Sequence, residues 1–228
     1  MAEETAAFSL LELFQIGGIT MWPLTLYSIA TLAIGIERII YLSRHDLRLD
    51  DMGSAVSGML AGGDYEGAAG YLAPLAKKRI GARILLAIVA GAKPEAGKVF
   101  SEKRVEKAAE TEAGLCVSGL ESGFNFLVAL GSISPLTGFL GTVTGMIGAF
   151  RSIAEATEVN AQVVAGGIYE ALITTVYGLI VAIFAMIFHS VFSHIVDGFS
   201  GRVEKTCSDL ITEIAETRER GLSGQALS

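Results

Sequence analysis

Charge is scarce in this chain and unevenly spread. Only 18% of its 228 residues are Asp, Glu, Lys or Arg, and the net charge is −7. That balance argues against nucleic acid as the main partner. Three stretches carry no charge: residues 16–36, 122–150 and 171–196. Cysteine is nearly absent. Cys116 and Cys207 lie far apart, with no CxxC and no zinc-ligand spacing, so two free thiols and no disulfide are expected. His45, His189 and His194 are the only histidines. The last two are five apart and point in different directions on a helix, so no metal set is expected, and an interfacial position is. No Walker A string is present, which removes the usual sign of direct ATP use. Residues 1–15 hold Glu3, Glu4 and Glu12 and no basic residue. A cleavable signal peptide needs a positive start, so none is expected.

Apolar residues and glycine are abundant instead. Hydrophobic residues make up 51% of the chain, 27 residues are glycine, and mean hydropathy is +0.53. This suits a membrane protein with a modest soluble part better than a soluble domain. Each charge-free stretch meets or exceeds the ~20 residues a helix needs to cross a bilayer. The first has Trp22 and Tyr27 near its start and Tyr41 near its end, placed as interfacial aromatics are. Pro23 falls in its first turns, where a missing N–H costs little.

The expected class is therefore an all-α membrane protein with three transmembrane helices and long helical extensions. The expected order is a periplasmic segment over 1–15, a first transmembrane helix over 16–42 and a cytoplasmic helical domain over 43–114. A second transmembrane helix with a cytoplasmic stalk covers 115–150, followed by a periplasmic loop over 151–162. A third transmembrane helix covers 163–198, and a cytoplasmic amphipathic tail 199–228. Within 43–114, Gly62-Gly63-Asp64 ends one short helix and caps the next through Asp64. Pro74 and Pro94 mark further turns. From about residue 96 the pattern reads as one long helix entering the second span. In the tail, Val203, Cys207, Leu210 and Ile214 at 4-3-4 spacing form an apolar stripe.

Orientation follows from the basic residues. Residues 1–36 carry none, 37–122 carry twelve, 151–165 carry one and the tail carries four. Arg38, Arg44 and Arg48 lie just past the first span, where the positive-inside rule has most weight. Both the 37–121 region and the C-terminus are then cytoplasmic, with the N-terminus and the short loop on the other side.

The third span carries the chemistry. Its opening, GGIYEALITTVYGL over residues 166–179, contains Glu170. Seven residues into the span is a depth of ~10 Å. A carboxylate there is costly against lipid and should face protein, water or a partner. Thr174 and Gly178 follow at one-turn intervals on the same face, and Thr175 lies ~140° around from Glu170. An acid, hydroxyls and a small residue read as the wall of a polar path. An ordinary Glu near a helix start, favoured by the macrodipole, is the bland alternative. In the second span Gly138, Gly141, Gly145 and Gly148 fall at 3-4-3 spacing on one face, as closely packed membrane helices require. Thr137 and Thr144 lie on a neighbouring stripe with Thr142 between. Pro135 frees a backbone carbonyl inside the span, which something else must satisfy.

Three blocks then carry a resemblance. They are GGITMWPLTLYSIATLAIGIER over 17–38, SPLTGFLGTVTGMIGAF over 134–150, and the 166–179 stretch. Together they resemble the MotA/TolQ/ExbB proton-channel family, nearest its ExbB/TolQ branch, over nearly the whole chain. The resemblance implies that Thr142 and Thr175 are pore threonines and Glu170 the intramembrane glutamate. It implies a homo-pentamer in the bacterial inner membrane. A single-span ExbD/TolR-like partner would supply the switching aspartate, and a TonB/TolA-like periplasmic protein would be driven. No cofactor is implied. The chain departs from the family pattern at Phe184, Tyr169 and Gly167, where relatives carry proline, a small residue and, in some cases, proline.

Function then divides into classes. A proton-driven motor subunit is the leading expectation, with a sodium-driven or motility stator of the same family beside it. A non-conducting membrane scaffold is the alternative from another class. An intramembrane enzyme rests only on Gly198-Phe199-Ser200-Gly201, a GxSG string with His194 nearby and no second intramembrane His or Asp.

Overall fold

The computed structural model describes residues 14, 17–45, 47–93, 101–155 and 161–225. It is helical, with no strand among the described residues. The helices are α1 (Met21–Arg44), α2 (Asp50–Ala61), α3 (Tyr65–Leu75), α4 (Ile80–Ala92), α5 (Glu102–Leu120), α6 (Phe124–Glu155) and α7 (Ala161–Gln225). Three stretches of helix are long and apolar enough to cross a membrane, in α1, α6 and α7. The chain divides into two compact units. One holds Met1–Glu37 with Gly123–Val191, the other Arg38–Ser122 with Phe192–Ser228.

In the first unit the apolar faces that point outward are large. Trp22, Leu26, Ile29 and Ile36 on α1 and Leu136, Phe139, Ile147 and Phe150 on α6 are all more than half exposed. Such a surface is stable only against lipid or another apolar partner. The helix α1 starts at Met21, later than the expected residue 16, because residues 17–20 form a turn. Gly18 adopts φ +61°, a conformation open to glycine. α6 runs unbroken through Pro135.

The second unit has a conventional core. Met52, Leu60, Leu72, Ile84, Leu85, Ile88, Val105 and Phe199 are each 0–2% exposed. The tail stripe Val203, Cys207, Leu210 and Ile214 is buried along the later part of α7, each large side chain contributing about 1.5–3 kcal/mol of apolar burial. Asp64 caps α3 by accepting from the Gly67 N–H at 2.7 Å. Pro74, expected to mark a turn, instead sits inside the last turn of α3; the turn itself follows at 76–78. Pro94 lies outside the described residues.

One further expectation is corrected. The long helix from residue 96 is interrupted: α5 ends at Leu120, residues 121–123 turn, and α6 begins at Phe124. Gly123 makes the turn with φ +87°. Arg38 holds the end of α5, donating from Nη1 to the carbonyls of Gly119 and Leu120 at 3.2 and 3.3 Å. A cation at the carbonyl end of a helix is favoured by its dipole. Arg38 is therefore 8% exposed, whereas Arg44 and Arg48 are exposed. The tail is helical over its described residues, and α7 continues into it without a break from Ala161 to Gln225.

Candidate functional site

The site is built on the packing of α6 against the first half of α7. Glycine makes that packing close. A Cβ on Gly138 would lie 2.8 Å from the Thr174 carbonyl oxygen, and one on Gly178 would lie 2.6 Å from that of Ser134. At Gly145 it would meet the Ala171 Cβ at 3.0 Å. The face foreseen over Gly138, Gly141 and Gly145 is thus used within one chain, to bring α6 against its own α7. Gly148 is the exception, with nothing within 4 Å of an added Cβ.

Thr174 sits at the centre of this seam, 1% exposed. Its hydroxyl donates to the Ala171 carbonyl at 2.7 Å, with the Gly138 carbonyl at 3.3 Å. It is closed in by packing. Thr142 and Thr175 meet beside it, hydroxyl to hydroxyl at 2.8 Å. Thr142 has the Phe139 carbonyl at 2.9 Å, and Thr175 has the Gly138 carbonyl at 3.0 Å. Each hydroxyl brings one proton and accepts through its lone pairs. With Thr142 donating to Phe139, the Thr175 proton has two acceptors, Gly138 O and Thr142 Oγ1. Such a pair can pass a hydrogen bond along. It cannot hold an extra proton near neutral pH.

Glu170 is elsewhere on the helix. It lines a cleft of ≈400 Å³ with Thr20, Thr144, Gly145, Gly148 and Ser152, which does not include Thr142 or Thr175. The expected single wall of Glu170, Thr142 and Thr175 therefore resolves into two places, as the ~140° between positions 170 and 175 requires. The cleft's hydroxyls spend their protons on their own helix. Thr144 donates to Leu140 at 3.0 Å and Ser152 to Gly148 at 3.1 Å. What remains facing the cleft is oxygen acceptors and a carboxylate, a set that suits a proton or a cation.

Gly18 closes over this carboxylate. A Cβ there would fall 2.2 Å from Glu170 Oε1, so the turn before α1 lies directly against the acid. Sequence reasoning missed Gly18 and Thr20. The available signal was the Gly17-Gly18 pair ahead of the first span, which marks a close backbone approach.

The GxSG string lies inside α7, with Phe199 fully buried. A nucleophile elbow is a strained strand-to-helix turn, and a continuous helix does not present a serine in that way.

A family model described as the MotA/TolQ/ExbB proton channel family matches residues 76–205, a segment that includes Thr142, Glu170, Thr174 and Thr175. The putative biopolymer transport protein ExbB-like 3 of Synechocystis sp. is 36% identical over 181 residues, covering 77% of this chain and 81% of the relative. The biopolymer transport protein ExbB of Pseudomonas putida is 36% identical over 92 residues, 40% of this chain. The Tol-Pal system protein TolQ of Pseudomonas aeruginosa is 45% identical over 74 residues, 32% of each chain. The matched part spans only 28% of the length of the Pseudomonas putida relative.

Proposed function

Because the chain belongs to the MotA/TolQ/ExbB proton channel family, on its ExbB/TolQ side, we propose that it is an ion-conducting subunit of an inner-membrane motor. In this reading it forms a homo-pentamer with a single-span ExbD/TolR-like protein. It couples proton-motive force to work on a TonB/TolA-like periplasmic protein. Moving one charge through the potential supplies ~2.3 kcal/mol per 100 mV. The observation that carries the reading is the acceptor-lined cleft at Glu170 beside a glycine-packed helix pair.

Orientation is part of the proposal: N-terminus and 151–162 loop periplasmic, the 43–114 region and tail cytoplasmic. The basic-residue distribution supports it. A periplasm-dependent reporter fused at Ala161 should be active, and one at Gly62 silent.

A scaffold reading keeps one observation in its favour. The hydroxyls of Thr142, Thr174 and Thr175 are all engaged within the helix pair. The test separates the two. pH-gradient dissipation is measured in liposomes holding the chain alone and the chain with its single-span partner. The spans offer one acidic group per subunit, so the switching acid is assigned to the partner, and rapid flux is expected only with it. Glu170→Gln should retain partial flux, Glu170→Ala less. Thr175→Val should impair coupling while leaving assembly intact. Fast, Glu170-dependent flux from the chain alone would refute the assignment of the switching acid to the partner. Unchanged flux in both Glu170 variants and in Thr175→Val would favour a scaffold.

A further inference from the structure

We propose that the turn between α3 and α4 is a binding site for the headgroup phosphate of an anionic phospholipid. The inference rests on the membrane reading above. This acidic chain concentrates Lys77, Lys78 and Arg79 in one turn, with Arg83 one turn into α4. A cleft of ≈120 Å³ forms there, lined by these four cations together with Tyr41, His45 and Leu115, and by no acidic residue among the described residues. Arg83 is engaged with Glu112 at 2.6 Å. Lys77 and Lys78 are exposed and form no ion pair with a described residue.

Depth along α1 places the cleft at the outer edge of the lipid headgroups. The charge-free run of α1 ends at Ile36. Tyr41 lies five residues beyond, roughly 7 Å further along the helix, and His45 lies roughly 13 Å beyond. The headgroup layer extends about 5–7 Å from each face of the hydrocarbon. Tyr41 is thus at the outer edge of that layer and His45 roughly 6 Å beyond it, a gap that an extended lysine side chain spans. The end of α5 is tied to the same level, because Arg38 binds the Gly119 and Leu120 carbonyls. Leu115, little more than one turn back on α5, is 63% exposed beside the cations. An uncovered leucine next to exposed lysines is a poor surface for bulk water. A topogenic role alone needs positive charge and no cleft.

The test uses the full chain in mild detergent, incubated with equimolar phosphatidylglycerol and phosphatidylcholine, with retained lipid read by native mass spectrometry. The wild type should retain phosphatidylglycerol at least tenfold over phosphatidylcholine. Lys77→Gln with Lys78→Gln, each lysine being worth up to about fivefold, should bring retention of the two lipids to near parity. Lys93→Gln, a cation paired with Glu66 away from the cleft, should leave it unchanged. Both lysines of the turn are exposed, and an unaltered helical spectrum checks that the variant folds. Equal retention of the two lipids by the wild type, or an unaltered preference in the double variant, overturns the proposal. Displacement of the lipid by millimolar inorganic phosphate would assign the site to a free anion and also overturn it. Lipid retention is read without ion flow or partner, so a negative result here leaves the channel reading standing, and a failed flux assay leaves this one.

Discussion

Adding a methyl group at Gly178 tests the helix pair most sharply. The new Cβ would sit 2.6 Å from the Ser134 carbonyl oxygen and 3.2 Å from the Gly138 Cα. Ordinary contact begins near 3.4 Å, so α6 and α7 must part by about 0.8 Å at this point. Both obstacles are backbone, so no side chain can swing aside. Overpacking of this kind costs ~1–3 kcal/mol. The separation should also stretch the nearby Thr142–Thr175 contact from 2.8 Å beyond hydrogen-bonding range. Gly178→Ala should therefore lower the apparent melting midpoint in detergent by several degrees and reduce coupled flux. Gly138→Ala should behave similarly, since its obstacle is the Thr174 backbone at 2.8 Å. Gly148→Ala is the internal control: its Cβ meets nothing, and replacing Gly with Ala in a helix should gain up to ~1 kcal/mol. Equal midpoints for Gly178→Ala and Gly148→Ala would refute the account of the close-packed seam.

Three further outcomes are expected. Thr31 is 1% exposed and its hydroxyl has no hydrogen-bond partner, so Thr31→Val should leave the midpoint unchanged or raise it; Thr174→Val removes a bonded hydroxyl and should cost ~1 kcal/mol. Arg38→Gln should loosen the end of α5 by ~1–2 kcal/mol, read as faster proteolysis around residues 119–123. Burial pushes the Cys207 thiol from 9.0 up to about 11, so it should resist maleimide at pH 8 in the folded chain and react on denaturation. The folded thiol stays protonated where the unfolded one ionises, so its contribution to stability is full below pH ~9 and is lost as pH rises toward about 11; a stability difference from Cys207→Ala that is constant across that window would count against it.

The spans were legible because lipid forbids charge. Three charge-free runs carry that constraint at a length that leaves few alternatives, and the tail's 4-3-4 stripe was legible from helical periodicity alone. The breaks were less legible. Gly123 ends a helix while Gly198 and Gly201 do not, since a lone glycine in an apolar pattern is compatible with either. Spacing also placed Thr174 and Thr175 near the acid without saying which faced the seam. Only the position of α6 makes Thr174 a packing residue and Thr175 a neighbour of Thr142. Gly18 was hidden for the same reason. Its contact with Glu170 joins positions 152 residues apart in the sequence, linked by no local rule.

The grip of Arg38 on α5 also has a history within each molecule. The arginine precedes Gly119 by 81 residues. At ~5–20 residues per second of synthesis, it waits roughly 4–16 s for its carbonyl partners to emerge. In the orientation proposed above, the first hydrophobic helix ends during that interval in a guanidinium still without its α5 partners, which resists passage through hydrocarbon and would hold that end on the side of the ribosome. When α5 arrives, the same group is withdrawn from the surface and becomes a helix cap. One side chain thus acts first as an address and later as a fastening. Lysine at position 38 would preserve the address, yet its shorter stem ends in a compact, strongly hydrated ammonium in place of the guanidinium whose Nη1 reaches both carbonyls. Arg38→Lys chains should therefore insert with the normal orientation and mature into a protein whose α5 end opens more readily.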